Sequence, residues 1–274
     1  MTPQAFVIAT VPRSGSTLLC HLLTATGVAG RPASHFHRPS LAAWMEDLDV
    51  NGPFAEDRDA IHAAVVAARG RGMDDTGLFG LRMQRASAAF WLDCLRRLHP
   101  DPLTDRQRVE AAFGPTLWVH LSRSDRTAQA VSRLRAEQTG LWHRHADGRE
   151  LERLAPPASP HYDRAAIARH RNQLVGWDAE WNAWFDAQGI VPLRLHYEML
   201  AANPRGGAAR VLRALDRDPR ALDGVAIPTA RLADGESRVW IKRFDAGRRT
   251  PYEKAGPPRG RRGGPDVPRD GLCE

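Results

Sequence analysis

Arg13-Ser14-Gly15-Ser16-Thr17 packs a permanently charged fork, a glycine and three hydroxyls into five residues, a set suited to holding an oxyanion. The guanidinium offers paired N–H donors, and the hydroxyls add short-range ones. Before it runs the apolar stretch Gln4-Ala5-Phe6-Val7-Ile8-Ala9-Thr10, and after it Leu18, Leu19, Leu22 and Leu23 recur at helical spacing as far as Gly27. Strand, loop and helix are therefore expected in that order. The loop then sits at a helix N-terminus, where backbone N–H groups lack intrahelical acceptors and the macrodipole is positive. An ATP-type Walker loop needs two glycines separated by four residues, then Lys and Ser or Thr. Here a single Gly15 follows Arg13, and no Mg²⁺-binding carboxylate is evident beside it.

A second anion grip is expected at Arg123 and Ser132. Thr116-Leu117-Trp118-Val119-His120-Leu121 reads as a strand, Ser122-Arg123-Ser124 as a loop, and Asp125 as the opening of a helix to about Thr139. In an open α/β sheet, ligands settle beyond the carboxyl ends of the strands, so parallel strands would bring both loops to one edge. Taken alone, Arg123 and Ser132 are equally compatible with a surface charge and a helix serine.

The elements that must carry these loops alternate along the chain, which points to an α/β fold: a mostly parallel sheet flanked by helices on both faces. Helices are expected over 58–69 and 84–98, with a short strand at Leu78-Phe79-Gly80-Leu81-Arg82-Met83 between them. Residues 143–162 read as irregular, with His143, Arg144 and His145 as a solvated rim lacking metal-ligand spacing. A long helix follows, its Ile167, Leu174, Trp177, Trp181, Trp184 and Phe185 forming a core stripe. Ile190 to Tyr197 reads as a strand, and Pro204 starts a helix to Leu215.

Composition narrows the function classes. The chain has 274 residues, enough for a full core, and one domain is expected over 1–254. From Ala255 onward nine of twenty residues are Gly or Pro, so 255–274 is expected to be a disordered basic tail. The net charge is +7, and residues 246–274 supply three of those charges. The remaining +4 suits an enzyme handling a polyanion, and the interleaved aromatic and basic residues of a single-strand binder are missing. Cys20, Cys94 and Cys273 are far apart and odd in number, supporting neither a disulfide framework nor a zinc site; no metal is expected. No stretch approaches the ~20 apolar residues of a membrane span, and no leader pattern opens the chain, so a cytoplasmic protein is expected.

Several blocks in order resemble the bacterial trehalose 2-sulfotransferase family: Pro12 to Leu19, Gly27-Val28-Ala29-Gly30-Arg31-Pro32, Phe79 to Met83, Arg123 with Gln129-Ala130-Val131-Ser132, Gln138 to Trp142, Trp184-Phe185, Tyr197-Glu198, and Ala233-Asp234 to Ser237 with Trp240. The match covers about residues 4–245. The resemblance implies a P-loop-type sulfotransferase fold, often a homodimer, that moves a sulfuryl group from 3'-phosphoadenosine-5'-phosphosulfate (PAPS) to a hydroxyl of a carbohydrate or other small-molecule acceptor. It implies that Arg13, Ser14, Gly15, Ser16 and Thr17 hold the 5' phosphosulfate, that Arg123 and Ser132 hold the 3' phosphate, and that Ser237 lies in a block closing over the nucleotide. Sulfuryl transfer resembles phosphoryl transfer in its in-line, loose transition state, so positioning and charge stabilisation carry it. No metal is required when the leaving phosphate is already met by cationic and backbone donors.

The proton acceptor is the departure from the pattern. Family members carry Glu two residues after the proline, where this chain has Ser34. The adjacent His35 has the right ordinary pKa, near ~6.5, for proton removal, with His37 as the alternative. Arg82 replaces a family Lys and is expected at the transferring group or the acceptor. Two other classes remain open from sequence alone: a nucleotide-dependent kinase, which lacks its GK[ST] here, and a non-catalytic nucleic-acid binder relying on the basic tail.

Overall fold

The computed structural model describes residues 2–227 and 234–247; the expected tail, the boundary at 254 and Cys273 lie outside them. The chain runs β1 (Ala5–Thr10), α1 (Ser16–Ala25), α2 (Leu41–Asp47), α3 (Asp57–Gly72), β2 (Phe79–Gln84), α4 (Arg85–Leu98), α5 (Asp105–Phe113), β3 (Thr116–Ser122), α6 (Arg126–Thr139), β4 (Leu141–Arg144), β5 (Glu150–Arg153), α7 (Arg164–Ala187), β6 (Leu193–His196), α8 (Tyr197–Ala202), α9 (Pro204–Ala214) and α10 (Gly235–Ala246), with a 3₁₀ turn at Pro219–Leu222.

Four strands form a parallel sheet in the order β2-β1-β3-β6. The alternation along β1 shows how helices come to cover both faces. Ala5, Val7 and Ala9 join one core with α3, α4, α5, α6 and α7, while Phe6 and Ile8 join another with α1 and α9. Every residue of β1 is buried, as expected for a central parallel strand, so its apolar run is continuous rather than alternating. The tryptophan stripe of α7 lies in the first core, and Trp181 Nε1 donates to Thr10 O at 3.0 Å, tying that helix to the end of β1. The α/β architecture expected from the alternating elements is the one observed.

Two local expectations are corrected. Residues 143–162 are not wholly irregular: β4 and β5 pair as an antiparallel hairpin separate from the main sheet. Its turn contains Asp147-Gly148, the dipeptide that hairpin turns favour because the backbone must adopt positive φ; Gly148 has φ 87°. Tyr197 does not end a strand but starts α8, immediately after β6. Among the described residues, no helix is long and apolar enough to cross a membrane.

Candidate active site

Because β2 and β3 flank β1 on opposite sides, the chain leaves β1 in one direction and returns in the other, opening a crevice at the carboxyl end of β1. The expected phosphate loop lies there, between Thr10 and Ser16. Gly15 is the N-cap of α1 with φ 84°, and a Cβ at that position would meet Tyr197 Cδ2 at 2.7 Å. Glycine is thus required twice, for the turn and for the close approach of the Tyr197 ring. No side chain caps α1, so its first N–H groups face the crevice without the acceptor a capping residue would supply.

The loop is held from several sides. Ser14 shares a hydrogen bond with Thr10 Oγ1, Gln129 Nε2 donates to Pro12 O at 2.7 Å, and Arg123 Nη1 donates to Arg13 O at 3.3 Å. The Arg123 guanidinium lies over the Tyr197 ring, 4.4 Å from its centroid. Arg13 itself has φ 63°, a left-handed conformation that costs a non-glycine residue roughly 1–2 kcal/mol. Such strain persists where surrounding contacts over-determine it.

Arg13 donates from Nε to Ser132 Oγ at 3.1 Å and from Nη1 to Trp142 O at 2.6 Å. Both acceptors are neutral. Burial and the neighbouring Arg123 lower its pKa to about 10, the mark of a cation enclosed without a balancing carboxylate contact. Ser132, expected in the second grip, therefore meets Arg13 directly. It also lines a cavity of about 410 Å³ with Arg135, Arg144, Arg153 and Ser237. Ser237 is anchored there: its N–H and hydroxyl donate to Asp234 Oδ1, and Arg135 donates to its Oγ.

A second cavity, about 470 Å³, is lined by Thr17, His21, His35, Arg82, His143 and Glu152 among others. Residues after Arg31 run beside β2 as a short edge: Ala33 bridges to Leu81, and Arg82 N donates to Ala33 O at 3.0 Å. That edge brings Arg82 to the phosphate loop, where it donates to Ser34 Oγ at 2.7 Å and to Thr17 Oγ1 at 2.8 Å. His35 faces the same cavity, and burial lowers its pKa to about 4, with Arg71 and Arg82 adding to the effect. His37 is likewise pushed down by burial and Arg82.

His143 was expected on a solvated rim and is instead part of this site. Its Nε2 shares a 3.0 Å hydrogen bond with Thr17 Oγ1 and lies 3.4 Å from Glu152 Oε2. Burial, Arg13 and Arg82 push its pKa down to about 3, so it is neutral near pH 7. Glu198 accepts from Ser124 N and Asp125 N and fixes the loop after β3. The Asp147-Gly148 turn between two four-residue segments was the sequence signal for the hairpin; the placement of His143 and Glu152 against Thr17 had none.

A parallel sheet carrying an arginine-led loop at its switch point, with two arginine-containing cavities, marks a protein of the α/β class. Comparison with known proteins gives the particular family. The Stf0 sulphotransferase family model matches residues 5–247, and the chain belongs to that family. It is 29% identical to the trehalose 2-sulfotransferase of Mycobacterium tuberculosis over 262 residues, covering 89% of this chain and 95% of that one. It is 28% identical to the trehalose 2-sulfotransferase of Mycolicibacterium smegmatis, covering 88% and 94%. Among solved structures, the sulfotransferase domain of a Synechococcus olefin synthase aligns with TM-score 0.35 and 17% identity over 80% of this chain and 75% of that one. The protein is a sulfotransferase, and its chemistry requires a sulfuryl donor.

Proposed function

We propose that the donor is PAPS and that the acceptor is a hydroxyl of a carbohydrate or another small molecule. The observation that carries this reading is Arg13: a buried guanidinium whose hydrogen-bond partners are all neutral, beside the uncapped start of α1. The donor set suits a polyanion, because cations and backbone N–H groups converge there and no carboxylate hydrogen-bonds to Arg13 among the described residues.

Bound in the crevice, PAPS would supply the sulfuryl group and a phosphate leaving group. Arg13 and the N–H groups of Ser16 and Thr17 would hold the 5' phosphosulfate and stabilise the negative charge that grows on the leaving oxygen. Arg123 and Ser132 would hold the 3' phosphate, and Ser237 would line the nucleotide cavity with Ser132. Arg82, fixed by Ser34 and Thr17, would orient the transferring group from the acceptor side. The acceptor hydroxyl would enter through the cavity containing His35, His143 and Glu152, and these are the groups within which its proton is taken up. Homodimeric assembly and a cytoplasmic site of action belong to the same proposal, checked by mass photometry and cell fractionation.

Calorimetric titration with the desulfated product 3',5'-ADP, alongside ATP and GTP, tests the donor. Selective binding of 3',5'-ADP is expected; equal or better binding of ATP would overturn the reading. Transfer of ³⁵S from labelled PAPS into a panel of sugars, phenols and lipid-linked hydroxyls then identifies the acceptor class.

A further inference from the structure

The acceptor-side cavity offers four side chains able to take a proton: His21, His35, His143 and Glu152. We propose that Glu152 is the catalytic residue that takes the proton of the acceptor hydroxyl, an inference that rests on the sulfuryl-transfer reading above. Glu152 is the single carboxylate in the lining of this cavity, where Arg31, Arg71 and Arg82 are the cations. It stands on β5 opposite His143 on β4, so the hairpin register carries it to the phosphate loop.

The geometry separates it from the histidines. His35 Nε2 is buried and has no hydrogen-bond partner, so that nitrogen does not open onto the space an acceptor would fill. His143 Nε2 is committed to Thr17 Oγ1. Glu152 touches His143 at 3.4 Å and makes no other hydrogen bond or ion pair among the described residues, and its side chain is 44% exposed. Its carboxylate is thus available to the acceptor hydroxyl, and its exposure gives the proton a route to solvent. Charge favours the same choice. Protonating any of the three histidines adds a cation beside Arg82, and burial, with Arg82 adding to it, lowers the pKa of each. Protonating Glu152 adds none.

The step balances within these groups. The acceptor oxygen forms its bond to sulfur as the bridging sulfur–oxygen bond to phosphate breaks, and that bond's electron pair leaves on the phosphate oxygen beside Arg13. The hydroxyl proton passes to a carboxylate oxygen of Glu152, and afterwards to water. The hairpin register, which sets Glu152 opposite His143, places the carboxylate.

The test uses Glu152→Gln and Glu152→Ala, ³⁵S-labelled PAPS, and two probe acceptors: trehalose, or the best aliphatic hydroxyl of the panel, and 4-nitrophenol, whose oxygen is largely ionised in mildly alkaline buffer. For the aliphatic hydroxyl, kcat should fall by on the order of 10²–10⁴-fold. With 4-nitrophenol the loss should shrink to a few-fold, because no proton then needs a base. Affinity for 3',5'-ADP and the thermal midpoint should stay at wild-type values. Normal nucleotide binding with Glu152→Gln turnover within threefold of wild type would overturn the proposal. Equal losses on both acceptors would do the same, as would this acceptor-dependent pattern appearing in His35→Ala instead. A wild-type protein that fails to bind 3',5'-ADP would remove the donor reading itself, which keeps the two failures distinct.

Discussion

Arg13→Ala deletes a buried guanidinium whose hydrogen-bond partners are both neutral, and its effects on stability and on chemistry can be weighed separately. Two charge-assisted hydrogen bonds are lost, to Ser132 Oγ and Trp142 O, each worth roughly 1.5–3 kcal/mol. Against that, the fall of the Arg13 pKa from 12.5 to about 10 records roughly 3 kcal/mol of unfavourable burial and repulsion from Arg123, which the variant relieves. The left-handed φ is no easier for alanine, so backbone strain cancels. Net destabilisation should therefore lie between about 0 and 3 kcal/mol, or up to ~12 °C in thermal midpoint for a domain of this size. Turnover behaves differently, since removing one oriented donor to a developing oxyanion costs ~2.7–4 kcal/mol, a loss of ~10²–10³-fold. Arg13→Lys should fall between, keeping the charge without the fork. The assays are thermal unfolding and ³⁵S transfer on the same preparation. A folded Arg13→Ala protein transferring within threefold of wild type would refute the role of the loop, and a protein that no longer folds would refute the energy balance.

Acidification should destabilise the protein through its site histidines. With folded pKa values of about 4 for His35 and about 3 for His143, against ~6.5 when unfolded, the unfolded chain binds protons first as pH falls below 6.5. Stability is whole above that value and is lost down towards pH 4, by up to ~1.4 kcal/mol per pH unit for each ring. Urea midpoints at pH 7, 5.5 and 4.5 should drop in step, and the double variant His35→Asn, His143→Asn should flatten the slope; midpoints that do not move with pH would contradict the buried, neutral assignment. Trp181→Phe removes the Nε1 bond to Thr10 O from a residue 1% exposed and should cost ~1–3 kcal/mol, or ~2–12 °C in thermal midpoint by calorimetry. A midpoint at or above the wild-type value would show that the bond between α7 and β1 contributes little.

The parts of the site that sequence reading locates are those whose signal is local. Apolar β1, lone Gly15 and the leucines of α1 lie within twenty consecutive residues, so strand, turn and helix announce themselves together. Arg123 and Ser132 could be placed because β3 and α6 have clean periodicity and parallel sheets gather loops at one edge. Short helices escaped. α5 begins with a capping box, Thr104 with Gln107, but its nine residues carry too little apolar periodicity to stand out beside the longer α4. α8 follows β6 without an intervening loop, which made Tyr197 look like strand. The pairing of Thr17 with His143 joins residues more than a hundred positions apart and depends on where the hairpin docks. No spacing rule encodes that.

That hairpin gives the site its division of labour. The proposed donor grip would be built from the main sheet: its loop follows β1, Arg123 follows β3, and changes there would disturb the central strands. β4 and β5 pair only with each other, and are tied back through Leu154 N to Gly140 O at 2.8 Å and Arg153 Nη1 to Thr139 O at 2.5 Å. Their side chains nevertheless line both cavities, His143 and Glu152 on the acceptor side, Arg144 and Arg153 on the other. Trp142 O between them takes the bond from Arg13. A substitution in the hairpin can therefore reshape this cavity without unsettling the core, provided it keeps the Trp142 carbonyl, the His143 bond to Thr17 and, on the reading proposed above, the Glu152 carboxylate. The other side chains of β4 and β5 are accordingly less constrained, and the proposed proton acceptor, Glu152, stands on this element rather than in the loop after α1, where this chain has Ser34.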